Sequence, residues 1–203
     1  MDFLDLLKGQ LSDSAIDGLS KHTGINDSAK TKNASNAILA FLTKALAKNT
    51  SSSTGASSLL GALDRDHDGS VLDDVMGLLT GAVGGGYNSK TLNGIGILGH
   101  ILGARQNFVV EAVAKMVGLQ KNQTAMLMIR LAPLVLGMLG KKKKEQNLNE
   151  RGLSDLLSNA VNQRETNANQ SVVSRILDRD KDGSAMDDIA SMGMKALGSF
   201  LFR

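Results

Sequence analysis

Apolar residues in this chain recur three and four positions apart for most of its length, and a single proline, Pro133, stands ready to interrupt a helix. No stretch keeps the every-second-residue alternation of a half-buried strand. The chain is therefore expected to be all-α. Ser12 or Asp13 can cap a helix that runs to about His22 and stops at Gly24, and Asn26 or Asp27 can start the next, through AILAFLTKAL. The polar run NTSSSTGASS, residues 49–58, reads as a flexible linker, followed by a short helix, SLLGAL. Beyond it, VLDDVMGLLTGAV places Val71, Val75, Leu78 and Leu79 on one face, and GGGYNSK (84–90) breaks the pattern.

The second half repeats the plan. FVVEAVAKMVGL resembles SAIDGLSKHTGI, with Gly118 in the place of Gly24, and a long apolar helix follows in each half. The segment LDRDHDGSVLDD at 63–74 returns at 177–188 as LDRDKDGSAMDD. The matching glycines stand 94 residues apart and the matching loops 114, so the second half carries about 20 extra residues, placed in the stretch that starts KKKKEQNLNERG. Two related helical units are expected, residues 1–100 and 101–203, each with a short helix, a DxDxDG loop and an exit helix.

Charge makes these loops more than turns. Ten of the 20 acidic residues lie in the two 12-residue segments, which hold only three of the 23 basic residues, so the remainder of the chain has an excess of ten positive charges. Three carboxylates about 4–5 Å apart repel by roughly 1–4 kcal/mol per pair, a cost that an Asx-rich turn does not need and a divalent cation reverses. Calcium takes six to eight oxygens, and an EF-hand loop supplies them from positions one, three, five and seven, with glycine at six for the turn. Asp64, Asp66, Asp68, Gly69 and the Ser70 carbonyl follow that pattern, with apolar Val71 next. Position twelve is Val75, so a carboxylate of the exit helix must close the site. By helical face, Asp74 lies beside the core and Asp73 points to solvent. The expected ligands are thus Asp64, Asp66, Asp68, Ser70 and Asp74, and in the second loop Asp178, Asp180, Asp182, Ser184 and Asp188, with Asp73 and Asp187 as the alternative closing residues. Two calcium sites are expected. His67 is expected to point out of its loop, and Lys181 replaces it in the second copy.

Composition removes other classes. There is no cysteine, and three histidines and one tyrosine leave no constellation for catalysis, so no enzyme is expected and no catalytic residue or cofactor-binding residue is assigned. Aromatics make up 3% of the chain, too few for stacking on single-stranded nucleic acid. NGIGILGHILG (93–103) has the GxGxxG spacing without the acid about 20 residues on that a dinucleotide site needs. Gly99 and Gly103 are expected instead to admit a neighbouring helix, with His100 a packed or partly exposed helix residue. TAMLMIRLAPLVLGMLGKKKK (124–144) is too short and too interrupted for a membrane span and reads as a buried, kinked core helix. Its end, Lys141, Lys142, Lys143 and Lys144, could meet an anionic surface. VAKMVGLQKNQTAMLMI echoes a helix-turn-helix whose second helix is too apolar to read bases. Its first-half counterpart near residues 27–37 carries Lys30, Lys32, Asn33 and Asn36, and gives the alternative reading, a DNA-associated regulator.

RDxDGSxxDD, NGIGILGHILG, LAPLVLGMLG and the ending LGSFLFR together resemble the YidB-like bacterial domain, a family of unknown function. The resemblance implies a small helical fold and a bacterial source, and supplies no activity. The expected function is a non-enzymatic, calcium-stabilised structural protein that self-assembles into a homo-oligomer or filament. MDFLDLLKGQ has acids where a signal peptide would have Lys or Arg, so the expected location is the cytoplasm, or outside the cell after lysis or by an unconventional route.

Overall fold

A computed structural model describes residues 2–67, 69–80, 93–103 and 106–162, and every regular element among them is helical. The order is α1 (Phe3–Gly9), α2 (Asp13–Thr23), α3 (Ser28–Asn49), α4 (Ser53–Asp66), a 3-10 segment (Ser70–Asp74), α5 (Val75–Thr80), α6 (Gly94–Leu102), α7 (Gln106–Val117), α8 (Lys121–Gln146) and α9 (Glu150–Asn162).

The boundaries follow local chemistry. Ser12 accepts a hydrogen bond from the Ala15 N–H and opens α2, and Asp27 accepts one from the Lys30 N–H and opens α3. Gly24 ends α2 in the left-handed conformation at φ 68°, and Gly118 follows α7 at φ 66°. The N–H of the next residue in each case, Ile25 or Leu119, returns to a carbonyl five positions back, Ser20 or Ala114. The two turns meet the same need with the same residue, since only glycine takes that φ without strain.

The expected linker is not one. Helix α3 runs to Asn49, three residues turn the chain, and Ser52 caps α4 by accepting from the Gly55 N–H. Polarity suggested a tether, but serines at a helix start are caps, and Ala56 and Leu63 bury one side of α4.

Helices α3 and α8 form the centre. Ile38, Leu39, Phe41, Leu42, Ala45 and Leu46 of α3 are buried, as is every residue of α8 from Leu131 to Gly140. Helix α8 packs against α3, α4, α5, α6 and α7, and α9 closes over α3 and α4 with Leu153, Leu157 and Ala160. Helix α8 is long and apolar enough to cross a membrane, but most of its apolar stretch lies inside this fold. The division expected at residue 100 falls within α6, and buried residues from both halves join one core from Phe3 to Ala160.

Pro133 lies buried inside α8. Lacking an N–H, it leaves the Ile129 carbonyl without its helical donor. Gly94, at the start of α6, sits against that same carbonyl: a Cβ added there would lie 2.0 Å from the Ile129 oxygen. A glycine Cα–H therefore faces the oxygen that the proline vacated. Gly99 and Gly103, expected to admit a neighbour, have nothing among the described residues within 4 Å of a built Cβ, and His100 is exposed. Close approach needs a glycine that faces the partner helix, and in α6 that one is Gly94.

The acidic loop as a candidate cation site

The loop joins α4 to α5 on the flank of α8. Helix α4 continues through Asp66, so Asp64 and Asp66 are two helical positions apart. At about 100° per residue their side chains leave the axis in opposing directions. Asp64 forms an ion pair with Lys143, near the end of α8. Leu63 and His67, four apart, continue the buried side of α4. His67 is therefore 5% exposed, and its Nδ1 is buried with no hydrogen-bond partner among the described residues. This corrects the expectation that it points outward, which assumed that the loop begins at Asp64; the extra helical turn swings residue 67 onto the core. Burial lowers the imidazole pKa below its ordinary value, and nearby Asp66 opposes that shift only in part.

Gly69 has φ 97°, a conformation that favours glycine, and a Cβ there would meet the Lys141 Cβ at 3.1 Å and its backbone at 3.3 Å. The Leu72 N–H then bonds to the Gly69 carbonyl at 3.0 Å and starts the 3-10 segment. Val71 is fully buried against Gly137 of α8, where an added Cβ would come within 2.3 Å of its Cγ1. Gly137 and Lys141 are four apart on α8, so one face of that helix carries both the turn and the anchor of the loop. Leu78 and Leu79 are buried and Val75 is half-buried, as the expected apolar face requires. Asp73 is exposed. Asp74 is half-buried, and its Oδ1 accepts from the Gly77 N–H at 2.7 Å, so it caps α5.

Two features fit an EF-hand loop: glycine in a left-handed turn at the sixth position and a buried apolar residue at the eighth. The carboxylates are arranged differently. Among the described residues no group of three or more His, Cys, Asp or Glu is gathered as a metal would require. Asp64 faces an ammonium, Asp74 faces a backbone N–H, and Asp64 and Asp66 diverge. Ser70 is exposed beside them. Asp68 lies outside the described residues, as does the whole second loop with Asp178, Asp180, Asp182, Ser184, Asp187 and Asp188.

The lysine run belongs to the last turns of α8. Lys142 pairs with Glu145 at 2.6 Å, which holds the Glu145 carboxyl below its usual pKa, and Lys143 pairs with Asp64. Lys142 and Lys143 are thus neutralised within the fold. An open groove beside the loop is lined by Gly69, Asp73, Lys141, Lys144 and Glu145, a mixture of signs. Nothing in the sequence indicated which acid Lys143 would meet; 79 residues separate the partners.

The helix of the DNA reading has Lys30, Lys32 and Asn33 exposed and Asn36 half-buried. Lys32 pairs with Asp13 at 3.0 Å, Asp27 caps the helix beside Lys30, and Asp17 accepts a hydrogen bond from Ser28. Acids therefore interleave with the bases on that side. In the corresponding helix of the second half, Leu127, Met128 and Leu131 are buried. The α8 start also touches the first turn, through Gln123 Nε2 donating to the Gly24 carbonyl at 2.8 Å.

No curated protein and no solved structure matches the chain. A family match covers residues 5–142, from α1 through the first acidic loop and into the lysine run, and leaves the second loop outside it. The chain belongs to a bacterial protein family of unknown function, DUF937.

Proposed function

We propose that this chain is a non-enzymatic helical structural protein whose acidic loops take calcium, and that calcium rigidifies the junctions between helices. The observation that carries the reading is the pairing of Gly69 at φ 97° with Val71 buried on Gly137. An EF-hand loop needs a left-handed glycine turn and an apolar anchor at these two positions, and here both rest on α8, which supports the reading. Binding demands a rearrangement from the described conformation. The last turn of α4 must open so that Asp64 and Asp66 converge, and Asp74 must exchange its Gly77 N–H for the ion. The near-identity of residues 177–188 extends the same proposal to the second loop, and the paired left-handed glycines, Gly24 and Gly118, support two related units. With calcium at about a hundred times its dissociation constant, one site adds roughly 2.7 kcal/mol of stability.

Self-association is part of the proposal. Its support is the exposed apolar pair Ile95 and Met126, on helices that pack together, in a chain with 22 glycines and nine methionines. Titration calorimetry tests the metal: heat at sub-millimolar calcium that disappears in Asp64→Ala with Asp178→Ala is expected, and no binding at that level refutes it. Light scattering with calcium and with chelator tests assembly, and a monomer in both sinks that part.

A further inference from the structure

Buried positions recur at a fixed distance along the chain. Phe3, Leu4 and Leu7 of α1 return 94 residues on as Ile97, Leu98 and Ile101 of α6, and all are buried. Ala15, Ile16 and Leu19 of α2 return at the same distance as Val109, Val110 and Val113 of α7, also buried. The packing recurs with them: α2 lies on α3 and α8, and α7 on α8 and α3. Helix α2 carries one partner more. It packs against α5, where a Cβ on Gly18 would stand 2.8 Å from Thr80 Cγ2 and 3.5 Å from Met76 Sδ. At 94 residues on, Gly18 becomes Ala112, with half-buried Phe108 and Met116 four residues to either side. The same places in α2 hold exposed Ser14 and His22. Helix α7 thus has an apolar stripe where α2 meets α5, and among the described residues it packs on α3, α6 and α8.

We infer that residues 189–201 of the same chain cover this stripe as a helix, seated on α7 as α5 is seated on α2. The segment follows the second acidic loop as α5 follows the first, so Met76 and Thr80 correspond, 114 residues on, to Ala190 and Met194. At helical spacing Ala190, Met194, Leu197 and Leu201 form an apolar row, and polar Ser191, Lys195 and Ser199 fall beyond it. The 41 residues after Asn162 lie outside the described ones, and they follow α9, which packs on α3, itself in contact with α7. The inference rests on the two-unit part of the reading above and is independent of calcium. Once seated, the segment withholds the α7 stripe from other apolar partners, a second copy of the chain included.

The test is disulfide trapping in the full chain, which has no cysteine of its own. Gly18→Cys with Thr80→Cys sets the yield of a seated pair, because those two positions meet in the first half. Ala112→Cys with Met194→Cys is expected to close within one chain to a similar yield. Ala112→Cys with Lys195→Cys, one step round the helix, is expected to give at least about threefold less, since a disulfide needs Cβ atoms about 4 Å apart. Equal yields from the two Ala112 pairs overturn the inference, because a loose tether then brings the residues together. A disulfide between chains overturns it in favour of a second copy as the occupant. No disulfide from either Ala112 pair, with the first-half pair formed, overturns the seat itself. Thermal melts check the same contact without cysteine. Leu197→Ala is expected to melt at least about 4 °C below Lys195→Ala, and equal melting overturns the seat. Every arm is run in chelator, so the calcium calorimetry above can fail while the seat stands, and the seat can fail while calcium binds.

Discussion

Helix α6 offers two glycines whose substitution should act in opposite directions. Gly94→Ala places a methyl 2.0 Å from the Ile129 carbonyl oxygen and 2.8 Å from its carbon, where real Cβ contacts begin at about 3 Å. The obstacle is backbone, so no rotamer change relieves it; α6 and α8 must part by about 1 Å at this point. Overpacking of this kind costs roughly 1–3 kcal/mol beyond the smaller gain from replacing glycine in a helix. For a chain of this size each kcal/mol moves the melting temperature by about 2–4 °C. Gly99→Ala, five residues on, has nothing among the described residues within 4 Å of the new methyl. It should gain about 0.5–1 kcal/mol from helix propensity alone. Both variants would be melted by circular dichroism in chelator. A Gly94→Ala protein that melts at or above the native one refutes the close approach of α6 to the proline-vacated carbonyl. A Gly99→Ala protein that falls as far as Gly94→Ala refutes the assignment of Gly99 to the open face.

Four further outcomes are expected. Gly69→Ala should lower stability by about 1–2 kcal/mol in urea titrations, because alanine resists the left-handed turn and meets the Lys141 backbone. Asp27→Ala should cost about 1 kcal/mol through the lost cap of α3, with Asp27→Asn restoring most of it. Leu157→Ala should cost about 2–5 kcal/mol, since Leu157 is fully buried; a loss below 1 kcal/mol would show α9 to be loosely attached. Burial lowers the His67 pKa below its ordinary 6.5, so the folded state resists a proton that the unfolded chain accepts. The stabilising effect of neutral His67 is thus complete above pH 6.5, and is lost as pH falls from there through the lower folded-state pKa. His67→Gln melts in chelator should show a flatter decline from pH 7 to 5, and an unchanged slope would refute the assignment.

The all-helical class was legible because helical periodicity is a local property, and so were the stops at Gly24 and Gly118, where one residue type meets one backbone requirement. The anchor Val71 and the face Leu78–Leu79 followed from the same period. The linker reading of residues 49–58 failed because serine serves both as a spacer and as a cap, and only the buried Ala56 distinguishes them. His67 was misplaced by one turn of helix, for local propensity does not say how far α4 continues into an acidic segment. Lys143 and Gly94 were illegible for a different reason. Their partners, Asp64 and Ile129, are fixed by how α8 crosses its neighbours, and a single sequence carries no signal for that.

Helix α8 bears on where this protein can be divided. The family match ends at residue 142, four residues short of the helix end, and α9 follows wholly beyond it. Yet Leu153, Leu157 and Ala160 belong to the same core as Phe3 and Leu39. The cooperative unit is therefore larger than the shared family segment. A chain cut at the family boundary would bare the apolar sides of α3 and α4 and remove Lys143 from the loop. Such a fragment is expected to aggregate, and one ending after Asn162 would keep the packing of α9 on α3 and α4. In this protein the unit of common descent and the unit of folding have different ends.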